Sequence, residues 1–387
     1  MRKIGLTACY DTKNFGSQLQ VLATIKELEL LGFKTEIIRY RKKITPMFVK
    51  QTIPRLFNIS FVKSKLKRNE RDKKASLYPD IADKIRVRNQ RFDSFVKKYF
   101  TNLSPVFAGW ENLVKSSANR YDLFMCGSDQ LWLPNNLGSH FYTLEFAPDD
   151  KPKISYATSF GVSDIPSFQR RNTARYLNRF SWLSTREIAG AKIIRKLTRK
   201  KAEIVCDPTM LFDGSEWLTM IPDESIIDTP YIFCYFLGKN AEHRRLANEL
   251  RNKTGLKIVT IPFLDDFVDL DIQFGDCQLF DVDAQDFVNL IRHAQYILTD
   301  SFHGSVFSIL YQKKFLTFDR FSNDHNSRNS RIESLCRVLQ LDDRRCLDGD
   351  VLKIREEIDY SIAMKKLSSL RKKSEHFIIQ STGVKSR

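Results

Sequence analysis

The sequence predicts an α/β protein with two Rossmann-like domains facing a cleft, and three observations predict it. Short apolar runs alternate with helix-length amphipathic stretches along most of the chain, the pattern of parallel sheets with crossover helices. The alternation breaks at the turn-rich stretch from Pro222 to Pro230 and then resumes, and 387 residues exceed one ordinary core. The apolar runs also end in polar turns from which a helix starts at once, where open α/β sheets keep their ligands. The expected division is an N-terminal domain over 1–222 carrying a basic helical insert near 41–100. A C-terminal domain over 223–345 follows, and then a basic helical tail over 346–387 that packs back on the first domain.

In the first half, Ile4–Cys9 reads as a strand, Gly16–Leu31 as a helix closed by Gly32, and Thr35–Tyr40 as a second strand. The basic segment is helical from Ile81 to Phe100, where Ile85, Phe92, Phe95 and Val96 recur at helical spacing. Asp122–Cys126, Lys153–Thr158, Trp182–Thr185 and Glu203–Cys206 are strands, with helices at Arg170–Phe180 and Ile188–Leu197. Glu203–Cys206 is stopped by Asp207-Pro208-Thr209. In the second half, strands fall at Tyr231–Leu237, Lys257–Ile261, Gln295–Thr299 and Phe315–Phe318, and helices at Ala241–Thr254, Ala284–His293 and Gly304–Tyr311.

Composition narrows the class. A 42% hydrophobic and 28% charged content is that of a soluble globular protein, and no apolar run approaches the ~20 residues of a membrane span. Seven scattered cysteines, without a C-x-x-C pair or a zinc-ligand cluster, suit a reducing cytoplasm and no metal. The net charge of +17 is concentrated: between Arg39 and Phe100 nineteen Lys/Arg face five Asp/Glu. That stretch lacks the aromatic interleaving of a nucleic-acid platform, so no nucleic acid is expected as a partner. A solvated helical face, or attraction to an anionic membrane surface or a phosphorylated substrate, remain as readings.

Four turns carry chemistry. Asn14-Phe15-Gly16-Ser17 joins the first strand to its helix; Gly16 allows close backbone approach, and Asn14 and Ser17 are cap residues. One glycine is too few for a dinucleotide fingerprint or a P-loop. Gly127-Ser128-Asp129-Gln130 puts a carboxylate at a strand end, as a base toward a hydroxyl or as a cap; Trp132 stacks on a sugar or fills the core. Ser184-Thr185-Arg186-Glu187 ends a strand on an arginine whose planar fork suits a carboxylate or phosphate, or pairs at the surface with Glu187. Asp300-Ser301-Phe302-His303-Gly304 places one imidazole at a helix start, where free N–H groups favour an anion.

Together these segments resemble the polysaccharide pyruvyl transferase family. The matching pieces are N-F-G-S-Q-L-Q at Asn14–Gln20, C-G-S-D-Q-L-W at Cys126–Trp132, I-S-Y-A-T-S-F-G at Ile154–Gly161, S-T-R-E at Ser184–Glu187, C-D-P-T-M-L at Cys206–Leu211 and D-S-F-H-G-S-V-F-S at Asp300–Ser308. Asn326–Leu335 is similar to a late family segment. The resemblance implies a fold of the glycosyltransferase-B type, and an enzyme that moves the three-carbon unit of phosphoenolpyruvate onto a sugar as a pyruvate ketal. Phosphoenolpyruvate is then a co-substrate and no cofactor is implied. The acceptor is a sugar of a surface polysaccharide or its lipid-linked precursor, in the cytoplasm or at the inner face of the membrane.

The family's donor-binding arginine falls on Arg186 and its signature histidine on His303. Many members carry arginine two residues before that histidine, where this chain has Ser301; Arg320 or Arg331 is the expected substitute. The implied scheme makes His303 an acid or a phosphate ligand, Asp129 or Asp300 the base, and the helix start at Gly304 an anion site. Two rival readings are a nucleotide-sugar glycosyltransferase of the same fold type and a non-catalytic polyanion-binding protein.

Overall fold

The computed structural model describes residues 2–43, 78–134, 140–266, 268–320 and 330–383. Most of the basic insert, residues 44–77, and the polar stretch at 321–329 lie outside the described residues.

The first half forms a seven-stranded, all-parallel sheet. Its strands are β1 (Lys3–Thr7), β2 (Lys34–Arg41), β3 (Leu103–Ala108), β4 (Leu123–Cys126), β5 (Lys153–Ser155), β6 (Trp182–Thr185) and β7 (Glu203–Ile204), in the order β3-β2-β1-β4-β5-β6-β7. Between them run α1 (Phe15–Leu30), α2 (Pro79–Tyr99), α3 (Trp110–Ser117), α4 (Ser167–Asn178) and α5 (Ile188–Thr198); α6 (Gly214–Met220) follows β7. Central strands such as β4 are buried at every position, as expected of strands covered by helices on both faces.

The second half repeats the plan with β8 (Tyr231–Tyr235), α7 (Ala241–Thr254), β9 (Lys257–Thr260), β10 (Cys277–Gln278), α8 (Ala284–His293), β11 (Tyr296–Thr299), α9 (Phe302–Leu310) and β12 (Lys314–Thr317). Its parallel strand order is β10-β9-β8-β11-β12. Both sheets therefore reverse their winding, between β1 and β4 and between β8 and β11, and it is at the carboxyl ends of strands beside such a reversal that open α/β sheets hold ligands.

The lobes share one core. Phe15 at the start of α1 stacks on Phe92 of α2 (ring centroids 4.8 Å) and on Phe287 of α8 (5.0 Å). After α10 (Ser330–Leu339) the chain ends in α11 (Ser361–Thr382), which returns to the first lobe. There Cys206 N donates to Ser374 Oγ at 2.8 Å, Arg371 Nε to the Met210 carbonyl, and Arg2 to the Thr382 carbonyl. No helix among the described residues is long and apolar enough to cross a membrane.

Five of the strands and α-helices escaped the sequence reading: β3, α3, α6, β10 and α10. β3 contains Pro105, which argues against a strand in general but is tolerated here because β3 lies at the sheet edge. The short α6 carries a capping box, Asp213 with Glu216, too close to the inter-lobe turns to stand out as a helix.

Candidate active site

Two helix starts meet between the lobes. α1 follows β1 and is capped by Asn14, whose Oδ1 accepts from Ser17 N at 3.0 Å. α9 follows β11 and is capped by Ser301, whose Oγ accepts from Gly304 N at 3.3 Å. The His303 ring lies directly over Gly16: a Cβ built on Gly16 would fall 1.9 Å from His303 Nδ1. Glycine at 16 thus makes room for an imbedded imidazole from the other lobe, while glycine at 304 lets α9 approach its own strand, where a Cβ would meet Thr299 Oγ1 at 2.6 Å. Both helix N-termini carry backbone N–H groups free of helical partners, a setting that favours an anion.

Arg186, at the end of β6, is the hub of the first lobe, its side chain 1% exposed. Its Nη1 donates to Asp207 Oδ2 at 2.5 Å, and its Nη2 to Asp129 Oδ1 at 3.3 Å. Ser128 Oγ lies 3.0 Å from Asp207 Oδ2, closing the group. Glu187 is buried as well, 3.9 Å from Arg186 Nε, and accepts from Ser159 Oγ and Phe160 N. The surface Arg186–Glu187 pair considered from sequence is therefore an interior one.

From the second lobe, Phe302 and Arg331 join this group. The Phe302 ring has the Arg186 guanidinium 4.7 Å from its centroid and that of Arg331 at 5.7 Å. With its amide oxygen turned toward the guanidinium, Gln130 accepts from Arg331 Nη2 at 2.7 Å. Arg331 has no carboxylate at ion-pair distance among the described residues. Burial of its guanidinium, with the charges of Arg186 and Arg320 beside it, pushes its pKa down to about 9. A negative charge placed beside it would raise that pKa again. Arg320 is engaged differently: its Nη2 donates to the Asp300 carbonyl at 3.0 Å and its Nε lies 3.6 Å from Asp300 Oδ1.

The two carboxylates expected to act as bases are placed otherwise. Asp300 is fully buried, and Leu237 N and Gly238 N donate to its two oxygens at 2.7 and 2.8 Å. It ties the end of β11 to the turn after β8. Asp129 is held in the left-handed region (φ 80°) and accepts from Ser17 Oγ at 2.5 Å. Burial alone would raise its pKa, but Arg186, His303 and Ser17 outweigh it and hold the carboxyl at about 2. So stabilised an anion is a weak base; it is an ion-pairing group. Trp132 is a correction of the same kind. Its ring is 0% exposed, packed on Phe160, Tyr176 and Phe180, with Nε1 donating to the Tyr142 carbonyl, so no face is presented to a sugar.

Asn14, Gly16, Ser128, Asp129, Arg186, Ser301, His303, Gly304 and Arg331 are thus brought to one place, with Arg320 and Asp300 at its edge. Sequence reasoning gave Asp207 no role at the site, reading it as a strand stop and as part of the C-D-P-T-M-L piece of the family resemblance. The available signal was an aspartate at a strand's carboxyl end followed by Pro208, the arrangement of a cap that also faces the site. Among the described residues, three buried polar atoms in the cluster have no hydrogen-bond partner: Arg186 Nε, Glu187 Oε2 and His303 Nε2. Two cavities, one of about 150 Å³ beside Ile81, Phe263 and Phe280 and one of about 390 Å³ beside Asp213, Leu310 and Arg371, are lined by no member of the cluster.

Comparison with known proteins gives two findings. A family model described as polysaccharide pyruvyl transferase matches residues 14–323. Among solved structures, the UDP-GlcNAc 2-epimerase from Methanocaldococcus jannaschii superposes with a TM-score of 0.52 at 11% identity, covering 99% of both chains. The UDP-GlcNAc 2-epimerase from Neisseria meningitidis bound to UDP-GlcNAc does so with 0.51 at 9% identity, again over 99% of both. At such identities the likeness is one of fold: two Rossmann-like domains of the glycosyltransferase-B type. A search of curated protein sequences found no match.

Proposed function

The chain belongs to the polysaccharide pyruvyl transferase family, and from that premise we propose that it transfers the three-carbon unit of phosphoenolpyruvate to a sugar of a surface polysaccharide or its lipid-linked precursor. The observation that carries this reading is the meeting of Arg186 from one lobe with Arg331 and His303 from the other, at two helix N-termini. Phosphoenolpyruvate bears a carboxylate and a phosphate on one small carbon frame. Two guanidinium groups and directed N–H groups suit that doubly anionic shape.

In the proposed reaction His303 gives a proton to the methylene carbon, which becomes the methyl group. A sugar hydroxyl bonds to the central carbon, and the bond from that carbon to the phosphate oxygen breaks, its electrons leaving with phosphate. A second hydroxyl of the same sugar then bonds to the central carbon and closes the ketal. Of the two hydroxyl protons, one reloads His303 and the other leaves on phosphate. Asp129 and Asp300 are not needed as bases in this scheme, because phosphate and imidazole between them take both protons. Asp129 keeps Arg186 in place, and Asp300 keeps the β11 turn in place.

The test is to incubate the purified chain with phosphoenolpyruvate and a panel of free and lipid-linked sugars, following phosphate release and product mass. A ketal product, heavier by pyruvic acid less water, is the expected result. Glycosyl transfer from a nucleotide sugar, or salt-sensitive polyanion binding without turnover, would overturn it in favour of a rival.

A further inference from the structure

We infer that Asp207 is the positioning residue of this site: one buried carboxylate of the first lobe orients both the Arg186 guanidinium and the His303 imidazole that comes from the second. What the imidazole does chemically rests on the phosphoenolpyruvate reading; where it points rests on geometry alone.

Asp207 stands where the chain leaves β7, and its own placement is fixed from several sides. The preceding Cys206 is held through its N–H by Ser374 of α11 and through its carbonyl by the Tyr156 hydroxyl. The following Pro208 opens a single 3-10 turn that Asp207 caps. Oδ1 accepts from Thr209 N at 3.1 Å and from Thr209 Oγ1 at 2.8 Å; Oδ2 takes Arg186 and adjoins Ser128. The side chain is wholly enclosed. Burial would raise its pKa, yet His303, Arg186 and Thr209 together drive it far below the ordinary carboxylate range. Such a group does not exchange protons at working pH. Its role is that of a fixed charge with a fixed direction.

His303 Nε2 lies 3.7 Å from Asp207 Oδ1, within ion-pair range and about half an ångström outside hydrogen-bond reach. This nitrogen is buried and has no hydrogen-bond partner among the described residues. The opposite edge of the ring sits on Gly16, so the imidazole is held between α1 on one side and Asp207 on the other. The charged groups that act on it are Asp207 and Asp129, with Arg186 bound to both. A ring of contacts results: Gly16 to His303, His303 to Asp207, Asp207 to Arg186, Arg186 to Asp129, and Asp129 to Ser17 beside Gly16. Asp207 is the member through which the second lobe's imidazole and the first lobe's guanidinium share a direction.

The experiment labels the histidines of the full chain with ¹⁵N and assigns His303 by its loss in His303→Gln. In Asp207→Asn, which retains shape and loses charge, the Nε2 resonance of His303 should move while the other histidines keep theirs. Turnover with phosphoenolpyruvate should fall on the order of 100-fold in kcat, with KM changing far less. Asp207→Glu, which retains the charge, should recover part of kcat. A folded Asp207→Asn with the wild-type His303 resonance and wild-type kcat overturns the inference. Should Asp207→Asn fail to fold, Asp207→Ser, which also removes the charge, takes its place, and an unmoved His303 resonance with unchanged kcat in that variant overturns the inference equally. If the wild type itself shows no turnover with phosphoenolpyruvate, the proposed function falls, while the His303 resonance still judges Asp207.

Discussion

Two helix starts, Asn14–Ser17 before α1 and Ser301–Gly304 before α9, share a plan: each follows a strand at a reversal of sheet order, each has a polar cap, and each holds a glycine in its first turn. They differ in what the glycine accommodates. Gly16 yields space to a side chain of the other lobe, and Gly304 yields space to its own strand. The first start offers bare backbone and the second an imidazole. The arginines differ in parallel, since Arg186 is compensated by three carboxylates, those of Asp129, Glu187 and Asp207, and Arg331, among the described residues, by an amide. An anion therefore has more to gain from the second lobe's cation, and the first lobe's cation has more to do with structure.

The largest test of that contrast removes the charged and titrating groups. His303→Ala should lose at least ~100-fold activity with little change in unfolding by urea. Arg186→Ala should lose a similar factor and also destabilise the fold by about 3–5 kcal/mol, because Asp207 and Asp129 are left buried and uncompensated. Equal stability of the two variants would erase the distinction between the arginine as structure and the histidine as chemistry.

Next come the glycines. In Gly16→Ala the new methyl displaces His303, so activity should drop roughly 10–100-fold with a modest loss of stability. Gly304→Ala presses on Thr299 and should cost about 1–3 kcal/mol of stability instead. Activity assays beside thermal melts separate the two outcomes, and a reversed order would mean that the helix starts are interchangeable.

A smaller effect concerns pH. Since the folded-state pKa of Arg331 is lowered to about 9, its charge is present below that pH and lost above it. Affinity for phosphoenolpyruvate should fall as pH rises through about 9, by up to tenfold per unit, in a calorimetric titration. Arg331→Gln should abolish this fall. The smallest expected effect is on the caps: Asn14→Ala and Ser301→Ala should each cost about 1 kcal/mol, read as small shifts in the urea midpoint.

Much of the architecture was legible locally. The βαβ opening, the strand ends at Cys126, Thr185 and Thr299, and the turns after them follow from apolar runs closed by polar and glycine residues. Ser128, Asp129, Arg186 and His303, which the structure brings together, stand at or just after those strand ends. What was misjudged depended on surroundings. The enclosed Trp132, the backbone-bound Asp300 and the strongly ionised Asp129 carry side chains whose type allows several roles, and burial chose among them. Asp207 was given no role at the site because a cap and a positioning carboxylate look alike until the facing lobe is in place.

The order of strands and helices, the doubling of the plan and the location of the polar turns were determined by the sequence alone, since period, length and turn residues act within a few neighbours. The tertiary structure decided which turns meet. Gly16 lies under His303, Asp207 faces that ring, and Arg186 shares Phe302 with Arg331, all between positions far apart in the chain. No local signal encodes such pairings, because they arise only when two sheets, each ordered by its own hydrogen bonds, are fixed face to face by a common core.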